Sequence, residues 1–140
     1  MLTAPCKNPE PEVVQLSLLL VEDDEDDYYV IQKLLPEITD TRYEVKWVRS
    51  CSGAFKELAR KSYDICLLCN LAKGQKGLDH IESFASIRPE MPIIFLSGPQ
   101  DCELDRPAME KGALGTLHKN EITPAIVRHC IRNAIAVKKA

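Results

Sequence analysis

Two adjacent carboxylates, Glu22 and Asp23, follow directly after an apolar run in the first part of the 140-residue chain. The run, Leu16 to Val21, is typical of a strand buried on both faces, so the two acids lie where that strand ends. Attraction to the N-terminus of a following helix explains the acids at 24–27 better than it explains this pair. Carboxylates in such a place are ligands for a hard divalent cation, which can neutralise phosphate. The pair therefore predicts an acidic, cation-binding pocket.

Two more polar residues end later apolar segments. Ser97 closes the run that starts at Pro92, and Lys119 comes directly after the segment 113–118. Either residue alone carries little information, since serines often end strands and lysines are usually solvated. In an open α/β sheet, however, ligand sites lie at the carboxyl ends of the strands. We therefore expect Ser97 and Lys119 to lie beside the two acids.

The chain has six cysteines, whose irregular spacing and apolar surroundings favour free thiols over a disulfide framework. They are Cys6, Cys51, Cys66, Cys69, Cys102 and Cys130. The pair Cys66 and Cys69 has C-x-x-C spacing, but it lies in an apolar run that is predicted as a strand. Odd spacing in a strand places the two thiols on opposite faces, about 10 Å apart along the chain, which excludes a shared metal site.

The composition restricts the class of function. Apolar residues make up 45% of the chain and charged residues 28%, as in soluble globular proteins. The net charge of −3 disfavours binding to nucleic acid or to a membrane surface. No apolar run reaches the roughly 18 residues of a membrane span, and the N-terminus lacks the features of a secretory signal. These observations predict a cytoplasmic protein with no nucleic acid or membrane as its partner.

The elements that would position these residues alternate along the chain. Segments predicted as strands are 16–21, 43–48, 65–69, 92–97 and 113–118, and each is followed by a helical pattern. The alternation predicts the α/β class, with a five-stranded parallel sheet in the order 2-1-3-4-5 between two helical layers. This is a flavodoxin-like (βα)5 three-layer sandwich. Residues 1–14 are predicted as a flexible N-terminal tail and 15–140 as a single domain.

Five motifs in sequence order resemble the response regulator receiver family of two-component systems. They are Leu18-Leu-Leu-Val-Glu-Asp-Asp24, Tyr63-Asp-Ile-Cys-Leu-Leu68, Gly77-Leu-Asp79, Ile93-Ile-Phe-Leu-Ser-Gly98 and Gly112-Ala-Leu-Gly-Thr-Leu-His-Lys119. The resemblance implies that Glu22 and Asp23 are the acid pair that holds Mg²⁺. It implies that Ser97 contacts the phosphoryl group and that Lys119 pairs with the phosphoryl oxygens.

The same resemblance places the phosphoacceptor aspartate at position 69, where this chain has a cysteine. Cys69 supplies no oxygen ligand and a thiol is a poor ligand for a hard metal, so any Mg²⁺ site is weak or vestigial. The second switch position of the family, usually aromatic, is Thr116, which is too small for the rotamer exchange that reports phosphorylation. Pro107 falls in the predicted fourth helix, where it removes a backbone hydrogen bond and is expected to shorten or restart the helix.

These departures predict an atypical, pseudo-receiver module of a phosphorelay that is not phosphorylated, is not an enzyme and acts by binding proteins. The resemblance implies a sensor kinase, another receiver or an output protein as the partner, bound through the fourth-helix to fifth-helix face. The module is expected to be a monomer or a weak homodimer. An alternative is a redox or ligand sensor that uses Cys69 and the residual acidic pocket, with Cys102 as the nominated disulfide partner. A protonated, inert thiol that fills a retired site is the simpler interpretation of Cys69.

Overall fold

Five strands form one parallel sheet in the order β2-β1-β3-β4-β5 in the computed structural model, which describes residues 13–70, 77–98 and 101–139. The strands are β1 (Val14–Val21), β2 (Thr41–Val48), β3 (Ile65–Cys69), β4 (Ile93–Ser97) and β5 (Gly115–His118). Every adjacent pair is parallel. The predicted α/β fold class and strand order are therefore confirmed.

Four α-helices connect the strands and a fifth follows β5, and together they cover both faces of the sheet. They are α1 (Glu25–Leu34), α2 (Cys51–Arg60), α3 (Ile81–Ile87), α4 (Asp105–Lys111) and α5 (Pro124–Lys139). Short 3₁₀ segments lie at Leu35–Glu37, Gly77–His80 and Cys102–Leu104. None of the helices in the described ranges is long and apolar enough to cross a membrane.

The central strands are buried because helices pack on both of their faces. All five residues of β3 and all five of β4 are buried, as are the last four residues of β1. Continuous burial of this kind explains why these segments are apolar runs rather than alternating patterns. β2 lies at the edge of the sheet, and its polar and apolar residues are mixed.

Local signals in the sequence account for most helix boundaries. Asp24 is the N-cap of α1 and Ser50 the N-cap of α2, where its hydroxyl accepts a hydrogen bond from Gly53 N. Thr123 Oγ1 accepts a bond from Ile126 N in the first turn of α5. At the end of α4, Gly112 has a φ of 122°, a conformation that residues with a Cβ rarely adopt.

Several boundaries differ from the predictions, since β2 begins at Thr41 rather than 43 and β5 at Gly115 rather than 113. β1 begins at Val14, which pairs with Thr41, one residue before the predicted start of the domain; the rest of the predicted tail, residues 1–12, lies outside the described residues. The shortening expected of the fourth helix at Pro107 is observed, because α4 begins only at Asp105 after a 3₁₀ turn. The proline is then the third residue of α4, where a backbone N–H would have no acceptor within the helix.

Candidate functional site

Lys119 brings the ends of three elements together at the carboxyl edge of the sheet. Its Nζ lies 2.8 Å from Glu22 Oε2, at the end of β1, and 2.7 Å from Asp27 Oδ2, in the first turn of α1. The backbone N–H of Lys119 also donates to Ser97 O at 2.9 Å, which fixes the start of the lysine side chain beside β4. We call Glu22, Asp27 and Lys119 the ion triad.

Glu22 is fully buried, and both of its carboxylate oxygens are engaged. Oε1 accepts a hydrogen bond from Asp24 N at 3.1 Å, while Oε2 contacts the ammonium of Lys119. Its main chain is held as well, because the indole Nε1 of Trp47 donates to Glu22 O at 2.7 Å. A buried carboxylate is stable only when it is paired and hydrogen-bonded, and these contacts meet that requirement.

Trp47 itself is held between two neighbours. The ring of Tyr28 is stacked on it, with centroids 3.7 Å apart and planes 6° from parallel. The guanidinium of Arg49 lies 4.2 Å from the centre of the indole, and Arg49 also pairs with Glu25 at 3.1 Å. A residue in the edge strand β2 therefore supports the main chain of the acidic site.

Cys69 ends β3 directly beside the ion triad and has no exposed surface. Burial, together with the negative charge of Glu22, raises the pKa of the Cys69 thiol well above its ordinary value, and Lys119 only partly opposes this. The thiol is therefore protonated and neutral at physiological pH. Gly77 packs against this strand end, since a Cβ at that position would clash with Cys69 O.

The lysine, by contrast, remains charged. Burial works to lower the pKa of Lys119, but the hydrogen bonds to the carboxylates of Asp27 and Glu22, together with the negative charge of Glu22, raise it above its usual range. The ammonium group of Lys119 is therefore a positive charge between the carboxylates of Glu22 and Asp27.

Besides Glu22 Oε2, which is ion-paired with Lys119, two buried polar atoms near Cys69 lack a hydrogen-bond partner among the described residues. They are Oγ of Ser97, whose side chain is fully buried, and Oδ1 of Asn70. Asn70 N donates to Leu96 O at 3.1 Å, so Asn70 and Ser97 follow adjacent strand ends. These atoms leave a small polar region beside the thiol, and residues 71–76, 99 and 100 lie outside the described residues.

The residues present do not fit a Mg²⁺ ion. Both oxygens of Glu22 are already engaged, and position 69 offers a neutral sulfur in place of an oxygen ligand. Within the described ranges, no group of three or more His, Cys, Asp or Glu side chains could hold a metal ion. Asp23, the other predicted ligand, is half-buried at the start of the β1–α1 connection.

The structure brings together most of the predicted site residues and adds one. Glu22, Cys69, Ser97 and Lys119 lie at adjacent strand ends, whereas Thr116 is half-buried further back in β5, where it pairs with Phe95. The sequence indicates Asp27 only as an acid at the helix N-terminus, yet it is a direct partner of Lys119. Its position in the first turn of α1, close to the end of β1, is the signal that could have indicated this contact.

The other cysteines do not form a site in the described residues. Cys66 and Cys51 are buried free thiols, and burial raises the pKa of both, for Cys51 to about 11. Cys130 is a partly buried free thiol. The side chain of Cys102, the nominated disulfide partner, and the whole of Cys6 lie outside what the structure describes.

Comparison with known proteins identifies the family of this fold. The family model described as response regulator receiver domain matches residues 18–130. No protein among the curated sequences matches the chain.

Solved structures of receiver domains are also similar to this chain. A response regulator receiver domain protein from Clostridium thermocellum is 26% identical, with 88% of this chain and 96% of that chain covered and a TM-score of 0.75. The receiver domain of a modulated diguanylate cyclase from Desulfovibrio desulfuricans G20 is 24% identical, with 89% and 97% covered and a TM-score of 0.74. A putative response regulator from Chloroflexus aurantiacus J-10-fl is 22% identical, with 87% and 98% covered and a TM-score of 0.77. The last two show a shared fold, and the family match is decisive. The chain belongs to the response regulator receiver domain family, the signalling modules of two-component systems.

Proposed function

We propose that this receiver domain is a pseudo-receiver that is not phosphorylated and that signals by binding a protein partner. The observation that supports the proposal is the ion triad beside a buried, neutral Cys69. An acceptor must attack the phosphodonor with a carboxylate, and position 69 offers a thiol whose pKa is well above its usual value. Lys119, the residue expected to pair with phosphoryl oxygens, is instead bound to Glu22 and Asp27.

The same contacts support a single conformation. Asp27 lies in α1, while Glu22 and Lys119 directly follow β1 and β5. A buried ion pair is costly to break because it leaves a charge unpaired. Thr116 lacks the aromatic ring of the usual switch. A domain that lacks both the phosphoacceptor aspartate and the aromatic switch residue keeps one conformation, and it therefore presents the same binding surface at all times.

Incubation with acetyl phosphate and Mg²⁺ followed by intact mass measurement tests the chemistry. The wild-type mass is expected to stay unchanged, while an ordinary receiver treated in parallel gains one phosphoryl group. Cys69→Ser is the matched control, because it keeps the size of the side chain and also lacks a carboxylate. A base-labile phosphoryl group on any aspartate of the wild-type pocket would contradict the proposal.

A groove beside the outer strand β5 has the features of a protein-binding surface. A groove of about 580 Å³ lies between α4, β5 and α5, and its lining includes Met109, Thr116 and Ile126. Met109 and Ile126 are each 48% exposed. Exposed apolar side chains around a groove are typical of protein-binding surfaces, so the partner is proposed to bind there.

Comparative capture from cells tests this surface. Ile126→Glu is expected to lose a protein that the wild type retains, because a charge replaces an apolar contact. Lys111→Glu is the control on α4, since Lys111 points towards Glu82 of α3, 3.9 Å away. Equal capture by all three proteins would place the partner elsewhere.

The redox alternative has less support. A sensing thiol needs a lowered pKa and access to the oxidant, and Cys69 has a raised pKa and no exposed surface.

A further inference from the structure

Strand β2 leaves one edge of the sheet without a partner strand in the described residues, because β2 pairs only with β1. Its middle residues Glu44, Val45 and Lys46 are all exposed, and Val45 is 39% exposed. An edge strand presents a row of unpaired N–H and C=O groups to any strand that can align with it.

The backbone bonds show which residues have their polar groups at the free edge. Val48 O accepts from Glu22 N at 3.0 Å, and Asp40 O accepts from Val14 N at 3.1 Å, so the even-numbered residues turn their main-chain groups towards β1. In a parallel strand pair, the N–H and C=O of one residue point the same way and successive residues alternate. The main-chain groups of Tyr43, Val45 and Trp47 therefore point outward.

The charges of β2 favour one way of pairing with a second copy. Arg42, Glu44 and Lys46 lie on one face of the strand, since side chains alternate between the faces. In an antiparallel pair centred on Val45, Glu44 faces the partner's Lys46, and by symmetry this contact occurs twice. Centring the pair on Glu44 or on Lys46 would place like charges opposite one another, as would parallel pairing in register.

The outward main-chain groups agree with the same register. With Val45 at the centre, Val45 opposes the partner's Val45 and Tyr43 opposes the partner's Trp47, and all of these residues have outward N–H and C=O groups. They form the closely hydrogen-bonded pairs of an antiparallel ladder. This register also pairs every residue of β2 except Thr41, whereas centring on Tyr43 leaves the last three residues of the strand unpaired.

The fold leaves room beside the strand. A groove of about 590 Å³ lies along the α1 side of β2, lined by Tyr43 and Val45 from the strand and by Tyr28, Leu35 and Pro36 from the helical side. We propose that two copies of this chain associate through their β2 edges, antiparallel and centred on Val45, to form a continuous ten-stranded sheet. The proposal is independent of phosphorylation and of the partner groove between α4 and α5.

Sedimentation analysis of the full chain over a wide concentration range tests the proposal. A reversible dimer is expected, and Lys46→Glu should weaken it about tenfold, because two attractive cross-strand pairs become repulsive. The double variant Glu44→Lys with Lys46→Glu restores opposite charges across the interface, so its affinity should return towards that of the wild type. Lys139→Glu, at the exposed end of α5, is the control with the same change in charge.

A backbone variant tests the ladder itself. Val45→Pro should abolish the dimer without unfolding the domain, because the N–H that it removes points to solvent in the monomer. Lys46 also lies within electrostatic range of Glu57, so each variant is first compared with the wild type by thermal melting.

A full chain that stays monomeric overturns the proposal, and so does an equal dissociation constant for Lys46→Glu and Lys139→Glu. If a monomeric chain captures another protein that only Lys46→Glu loses, the edge belongs to a different partner and the proposal is likewise overturned.

Discussion

Cys69 determines how many negative charges the pocket contains. With cysteine there, Lys119 is shared by Glu22 and Asp27, at 2.8 and 2.7 Å. An aspartate at the same buried position would add a third carboxylate close to the one lysine. Like charges in a desolvated pocket raise one another's pKa and cost free energy at neutral pH.

Cys69→Asp is therefore expected to lower the free energy of unfolding by about 1–2 kcal/mol at neutral pH without metal, since a tenfold weaker acid corresponds to about 1.4 kcal/mol. Mg²⁺ should recover this loss in the variant, because a ligand that binds only the folded state stabilises it. The wild type should respond little, because both oxygens of Glu22 are engaged. Thermal melts with and without millimolar Mg²⁺ make the comparison, with Cys69→Ser as the uncharged control. An equal gain in wild type and Cys69→Asp would mean that Glu22 and Asp23 suffice for the metal.

Trp47 also stabilises the acidic site, because its indole Nε1 donates a hydrogen bond to Glu22 O at 2.7 Å. Trp47→Phe keeps an aromatic ring for the stack on Tyr28 but removes the donor. Its expected cost is about 0.5–1.5 kcal/mol, the usual net value of one hydrogen bond. Urea unfolding followed by far-UV circular dichroism is the measurement, because the chain has a single tryptophan and the variant loses its fluorescence. An unchanged midpoint would mean that water replaces the indole donor.

Between elements, a second group of charges ties α5 to the start of β2. Arg128 donates to Asp40 Oδ2 from Nε and from a terminal nitrogen, at 2.8 and 2.6 Å, and Arg132 donates to Thr41 Oγ1 at 2.6 Å. The hydrogen bond from Arg128 lowers the pKa of Asp40 to about 2, with a smaller contribution from Thr41.

The sign of the resulting pH dependence follows from this lowered pKa. The contribution of Asp40 to stability is complete above the unfolded-state value of 3.8 and is lost as the pH falls through about 2. Asp40→Asn should thus be less stable than the wild type at pH 7, and the difference should shrink below pH 4. Urea unfolding at several pH values checks this, with Glu37→Gln as a control at the exposed end of the 3₁₀ segment that follows α1. A constant difference across the range would show that the aspartate acts through its shape rather than its charge.

The elements were predictable where one physical signal dominated. β3, at Ile65–Cys69, follows directly from its continuous apolar run, and α5 begins where Thr123 and Pro124 indicate. The start of β2 at Thr41 was not predictable, because an edge strand has no strong apolar pattern and its pairing with β1 sets its length. The contact between Lys119 and Asp27 joins residues 92 positions apart, and only the assembled sheet, in which parallel strands end at the same edge, brings them together.

At the scale of the whole molecule, two exposed surfaces lie on opposite sides of a buried centre. The β2 edge and the groove between α4 and α5 lie on opposite sides of the domain, because β2 and β5 are the two outer strands. Between them, Cys51, Cys66 and Cys69 each have no exposed surface. Position 69 is thus part of the core, while the two surfaces lie outside it.

The rate of thiol labelling measures how often the buried centre opens to solvent. In a variant in which Cys6, Cys102 and Cys130 are replaced by serine, Cys51, Cys66 and Cys69 should react together and very slowly in native buffer. Their common rate should rise with urea in step with global unfolding, because a fully buried thiol reacts only after the structure opens. The raised pKa of Cys69 slows its reaction further, since the thiolate is the nucleophile.

Mass spectrometry of peptides after timed labelling gives the three rates separately. Cys66 is the internal control, because it lies in the same strand, has the same burial and also has a raised pKa. If Cys69 reacts much faster than Cys66 without urea, the strand end opens locally while β3 stays folded. Local opening of that kind would give an oxidant access to position 69 and would favour the redox sensor over the pseudo-receiver. Equal rates mean that Cys69 is reached only by unfolding the domain, which no signalling cycle based on this thiol could use.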